Sequence, residues 1–157
     1  MWTVVQCGCE TDFLKGMSSA IKEEYNVEGG NFTRAGYAAS QIKKILKRLE
    51  VHPDIIKRTV VAVYEAEVNI VAHAYSGTIY FDLDEKSIDI RLTDEGPGIP
   101  DIELAKQEGY STASSAVREM GFGAGMGLPN IKRNVDDLQI ESTPGEGTKV
   151  KMKVNFK

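Results

Sequence analysis

Between Thr33 and Leu92 the apolar residues change their spacing once, and that change limits the folds open to the chain. Ala35, Ala38, Ala39, Ile42, Ile45, Leu46 and Leu49 recur at helical spacing, with Lys43, Lys44, Lys47 and Arg48 turned away, which predicts an amphipathic helix. Val51-His52-Pro53-Asp54 breaks it, because proline lacks an amide hydrogen and biases its predecessor out of the helical region. A second helix is expected from there to about Tyr75. Beyond it the period drops to two. Ile79, Phe81 and Leu83, then Ile88, Ile90 and Leu92, are separated by Asp84-Glu85-Lys86, which reads as an antiparallel hairpin with one face on a core.

The remainder extends this pattern. Asp94 to Pro100 is a tight turn, Ile102 to Gln107 a short helix, and Gly109 to Met120, rich in Ser, Thr and Ala, a mobile loop. After the run Gly121-Phe122-Gly123-Ala124-Gly125-Met126-Gly127-Leu128, a helix follows with Pro129 in its first turn, where a missing amide costs little. Leu138 to Ser142 and Thr148 to Phe156 are predicted strands around the turn Thr143-Pro144-Gly145-Glu146-Gly147. Helices followed by hairpins predict an α+β two-layer sandwich, helices on one face of a mainly antiparallel sheet. No Gly-x-x-x-x-Gly-Lys occurs, and no strand leads into Gly-x-Gly-x-x-Gly, so P-loop and Rossmann sites are excluded on context.

Residues 1–30 are read as an N-terminal extension ahead of a domain spanning 31–157. Trp2 to Val5 can start a strand, Phe13 to Tyr25 can form a helix, and Gly29-Gly30 punctuates its end. Cys7 and Cys9 are too few ligands for a closed zinc site and too close for an unstrained disulfide, so idle thiols are favoured over a redox or shared-metal role. At 157 residues the chain has room for one domain with a real core. A net charge of −4 offers no basic stripe for a phosphate backbone, which argues against direct nucleic-acid binding. Apolar runs such as Val60 to Val63 are too short to cross a bilayer, and no signal-peptide pattern is seen, so a cytoplasmic protein without membrane contact is expected.

The second helix carries an anomaly. Glu65, Asn69 and His73 recur every four residues and so lie along one stripe, although their neighbours Val61, Ala62, Ala66, Val68 and Val71 are apolar. A solvated face is the ordinary account of such a stripe. A largely buried helix instead requires partners for its polar groups, and a metal-bound ligand would supply them.

This stripe, the Asp94-x-Gly96-x-Gly98 turn, the Gly121 to Gly127 run and the Thr143-Pro144-Gly145-x-Gly147-Thr148 turn occur in that order. Together they resemble the N, G1, G2 and G3 boxes of the GHKL ATPase superfamily, whose members share the Bergerat ATP-binding fold. Within it, residues 32–156 are most similar to bacterial serine/threonine kinases that act as anti-sigma factors or switch kinases. The resemblance implies ATP and Mg²⁺ as cofactors. A carboxylate at a strand end can accept the exocyclic amino group of adenine, and the resemblance gives that place to Asp94. Gly96 and Gly98 would let the backbone approach the base, and Thr148 is similar to the hydroxyl that helps hold it. Asn69 offers Mg²⁺ a neutral oxygen, and Glu65, one turn earlier, is the expected general base.

Gly121, Gly123, Gly125 and Gly127, with Met126 and Leu128 between and after them, would present amides to the phosphates at a helix N-terminus. Arg118 is the expected lid arginine near the γ-phosphate, with a plain surface arginine as the other reading. His73 is read equally as a continuation of the motif or as structural. The implied partners are a STAS-domain anti-sigma-factor antagonist as phosphate acceptor and a sigma factor or other regulator, with a homodimeric state. A second reading is an ATP-gated binding module without kinase turnover, linked to redox or metal through Cys7 and Cys9. A detached histidine-kinase ATPase domain ranks lower, since neither His52 nor His73 suits a phosphoacceptor.

Overall fold

The computed structural model describes residues 21–111, 113, 115 and 126–156. Five strands, β1 (Ile21–Glu28), β2 (Ser76–Leu83), β3 (Ser87–Glu95), β4 (Asp137–Thr143) and β5 (Gly147–Asn155), form one sheet in the order β1-β2-β3-β5-β4, with every neighbouring pair antiparallel. Among the described residues the sheet is accompanied by helices α1 (Tyr37–Arg48) and α2 (Pro53–His73), a short α3 (Ile102–Ala105), α4 (Gly127–Asn134) and a 3-10 turn at Phe32–Arg34. The α+β sandwich expected from the periodicity is borne out. Its sheet registers follow the alternation: Ile79, Phe81, Leu83, Ile88, Ile90, Leu92, Val150, Met152 and Val154 are all buried in one cluster with the apolar faces of the helices. The other sheet face holds polar residues, among them Arg91, which pairs with Asp82 at 3.1 Å and lies over the Tyr80 ring.

One expectation is corrected. The expected helix Phe13 to Tyr25 fails over its described part, since Ile21–Glu28 is a strand at the sheet edge, paired with β2 from Ile21↔Leu83 to Glu28↔Ser76, while residues 13–20 lie outside the described residues. Alternation decides it, because Ile21 and Val27 are buried while Lys22, Glu24, Asn26 and Glu28 are exposed. Trp2 to Val5 and the cysteines Cys7 and Cys9 lie outside the described residues.

Helix α2 organises the rest. Pro53 opens it, the His52 ring accepts the Asp54 amide at 3.2 Å, and Asp54 lies in the first turn, where negative charge meets the positive end of the helix dipole. Near its start Arg58 donates to the Asn134 carbonyl and to Asp136, whose second oxygen accepts the Asn155 amide at 2.7 Å. Those bonds tie α2 to the end of α4 and to β5. Further along, Glu67 is 2% exposed, and its carboxylate accepts the amides of Ala38 at 3.1 Å and Ala39 at 3.2 Å in the first turn of α1. Gly36, before that turn, has no side chain to cap it, so a carboxylate from another helix satisfies these donors. Burial raises the Glu67 pKa above 4.5, against the lowering effect of the amides.

Candidate functional site

A cleft of about 290 Å³ lies between α2, the end of β3 and the start of α4. Glu65, Asn69 and His73 line one wall, so the polar stripe faces this cleft. The Asn69 side chain makes no hydrogen bond among the described residues, which leaves its amide available to a ligand. Glu65 Oε1 accepts from Asn130 Nδ2 at 3.1 Å. Burial lowers the His73 pKa below 6.5, which favours the neutral imidazole at pH 7.

Asp94 and Thr148 meet at the opposite wall. The Thr148 amide donates to Asp94 Oδ1 at 3.1 Å. The other carboxylate oxygen has no hydrogen-bond partner among the described residues. Burial holds the Asp94 carboxyl above its ordinary 3.8, and the Thr148 bond opposes that shift. A second set of bonds fixes the surrounding turns. Ser142 Oγ accepts the Ile99 amide at 2.7 Å and lies 2.9 Å from Thr148 Oγ1, while Gly145 donates to the Pro97 carbonyl at 2.8 Å. The β4–β5 turn therefore clasps the turn after Asp94. Gly98 lines the cleft in a left-handed conformation, φ 74°, and a Cβ there would stand 2.5 Å from the Thr143 carbonyl oxygen. Gly96 is buried against Ala74 and is not part of the cleft lining.

Helix α4 closes the third side. Met126, Gly127 and Leu128 line the cleft, and the helix begins at Gly127. A Cβ on Gly127 would stand 3.1 Å from Asn69 Oδ1 and 3.4 Å from Glu65 Oε2, so the missing side chain permits this close approach. Arg118, Gly121, Gly123 and Gly125 lie outside the described residues. Residues from three of the four sequence boxes, together with the end of the glycine run, thus surround one cavity. The sequence reading passes over Asn130 and Ser142, which hold Glu65 and Thr148 in place. Asn130 sits one turn beyond Met126 in a helix already predicted, so polarity on its cleft side is the signal that could have found it.

Residues 32–154 match the family of histidine kinase-like ATPase domains. The chain belongs to that family. Relatives of this ATPase domain include an anti-sigma F factor of Caldanaerobacter subterraneus subsp. tengcongensis, 42% identical over 58% of this chain and 64% of its own length. The serine/threonine-protein kinase RsbT of Bacillus subtilis is 36% identical over 59% of this chain and 67% of its own. An anti-sigma F factor of Clostridium acetobutylicum is 31% identical over 82% of this chain and 87% of its own. The match thus spans about two thirds of the first two relatives and most of the third. Family membership makes ATP the nucleotide of this fold, and the resemblance to anti-sigma kinases is borne out. Strand β1, which precedes the matched segment, is nonetheless part of the same sheet. Among the described residues no helix is long and apolar enough to cross a membrane.

Proposed function

We propose that this protein is an ATP-dependent serine/threonine protein kinase of the anti-sigma-factor type. The observation that carries the proposal is that one cleft has Asp94 bonded to Thr148 on one wall and Glu65 and Asn69 beside the start of α4 on the other, which supports reading the first as a purine end and the second as a phosphate end. At the purine end the unpartnered Asp94 oxygen accepts the exocyclic amino group of adenine. At the phosphate end the α4 N-terminus offers backbone amides to anionic oxygen, joined by Gly121, Gly123 and Gly125 from the preceding run. The family resemblance assigns Arg118 the role of the lid arginine for the γ-phosphate.

The residues present fit Mg²⁺. Among the described residues no cluster of three or more His, Cys, Asp or Glu side chains could hold a metal alone, and the free Asn69 amide suits a hard cation that takes its other ligands from phosphate and water. When bound, Mg²⁺ neutralises charge on the β- and γ-phosphates. Glu65 orients the acceptor hydroxyl and takes its proton as the oxygen attacks the γ-phosphorus. The bond from that phosphorus to the bridging oxygen breaks, and ADP leaves.

The acceptor is a serine or threonine of a STAS-domain antagonist, and a sigma factor or similar regulator is the second partner. The relatives' names support a kinase that acts with a regulatory partner, and the STAS-domain acceptor is what the family resemblance implies. The test is incubation with labelled Mg-ATP and the STAS-domain proteins of the same genome. Label is expected on one of them, at a serine or threonine. ATP binding without transfer to any would instead point to a nucleotide-gated binding module.

A further inference from the structure

Asn130 links Glu65 to a chain of side chains that reaches the mouth of the cleft. Its Nδ2 donates to Glu65 Oε1 at 3.1 Å, and its Oδ1 accepts from Arg133 at 3.1 Å, one turn along α4. Arg133 is ion-paired in turn with Glu108. Glu108 immediately precedes the segment from which Tyr110 and Ser111 line the cleft.

The two ends of this chain fix the orientation of the amide between them. A guanidinium can only donate and an ionised carboxylate can only accept, so the amide oxygen must face Arg133 and its nitrogen Glu65. A flipped amide would oppose donor to donor and acceptor to acceptor. With Oε1 engaged, Oε2 is the oxygen left for an attacking hydroxyl, and it is also the one nearest the Gly127 backbone. The Arg133 and Glu108 side chains are 52% and 61% exposed, so their pairing adds little to stability. Its contribution is to orientation.

We propose that Asn130 is a positioning residue that holds Glu65 by one oxygen, and that Glu108, acting through Arg133, ties that pose to the cleft wall carrying Tyr110 and Ser111. The inference rests on the reading of Glu65 as the base. It predicts that disturbing the chain slows transfer and spares nucleotide binding.

Two measurements on the full chain test it. In ¹⁵N-labelled protein the Asn130 side-chain amide signals, identified by their loss in Asn130→Ala, are expected to shift in Glu65→Gln and in Arg133→Ala. Signals unmoved by both substitutions overturn the proposal, whatever the protein's activity. In the transfer assay, Asn130→Ala is expected to slow turnover roughly tenfold or more, with ATP affinity within about twofold of wild type. Arg133→Lys keeps a donor and is expected to recover most of the turnover lost in Arg133→Ala. Wild-type turnover in Asn130→Ala, where Glu65→Ala is inactive, overturns this inference alone. Wild-type turnover in Glu65→Ala overturns the assignment of the base beneath it.

Discussion

Gly147 passes so close to Asp94 that a Cβ on it would overlap the Asp94 carbonyl oxygen. The residue also holds φ 138°, which side chains rarely adopt. Gly147→Ala is therefore expected to push the β4–β5 turn away from Asp94 and to pull the Thr148 amide off its carboxylate. Backbone strain alone costs about 1–3 kcal/mol. Urea unfolding should show that loss, and ATP titration should show weakened binding. A variant that keeps both stability and affinity would mean that the turn can move without disturbing the purine end.

Gly127 makes a comparable contact at the phosphate end, but with side chains. Alanine there would crowd Asn69 Oδ1 and Glu65 Oε2 at 3.1 and 3.4 Å, and it introduces no helix penalty. Gly127→Ala is expected to fold normally and to lose the Mg²⁺ dependence of ATP binding. Titrations with and without Mg²⁺ check this, and an unaltered Mg²⁺ effect would remove Asn69 from the proposed cation site.

In the proposed site Asp94 accepts the adenine amino group most strongly when ionised, because the bond is then charge-assisted. Burial raises its pKa in the free protein, so ATP affinity is expected to weaken as pH falls through that raised value, above 3.8. Its effect on folding has the opposite sign, since a raised carboxyl favours the fold below 3.8 and loses that contribution as pH rises through the folded value. Asp94→Asn removes the charge-assisted bond, worth about 1.5–3 kcal/mol, and should lower ATP affinity roughly tenfold to a hundredfold with a flat pH profile. Calorimetric titration across pH checks both, and an affinity equal to wild type would place adenine elsewhere.

Glu67 offers a pH test of the fold itself. Its pKa is raised by burial, so its stabilising contribution is complete below 4.5 and falls as pH rises through the folded value. Glu67→Gln does not titrate and keeps one acceptor oxygen for the Ala38 and Ala39 amides. Its melting temperature should lack that part of the decline with pH. Parallel curves for the two proteins would show that the carboxyl does not change protonation over the range measured.

Much of this architecture was legible because period and burial coincide. The inward positions of β2, β3 and β5 are the alternating apolar residues, and the buried face of α1 is the set Ala38, Ala39, Ile42 and Leu46. Ile21–Glu28 is ambiguous in sequence because a short run with only three spaced apolar or aromatic residues, Ile21, Tyr25 and Val27, satisfies both periods. Its partner strand starts more than forty residues away, and pairing of that kind leaves no local trace. Glu65, Asn69, Asp94 and Thr148 could be located because each stands in a motif. Asn130 and Ser142 act on those residues through hydrogen bonds across 65 and 6 positions, and neither breaks the pattern of its own element. Glu67 was missed for a related reason. Two residues from Glu65 it reads as one more helix charge, and only the packing of α1 reveals its burial.

Glu65 and Glu67 lie about 200° apart around α2, since each residue advances about 100°. One therefore faces the cleft while the other grips the start of α1. The helix works as an axle pinned from both sides: rolling it enough to withdraw Glu65 would also strip the Ala38 and Ala39 amides of their acceptor. Adjusting the Glu65 side of the cleft through the turns and α4 would leave those two bonds intact, whereas doing so by rolling α2 would not.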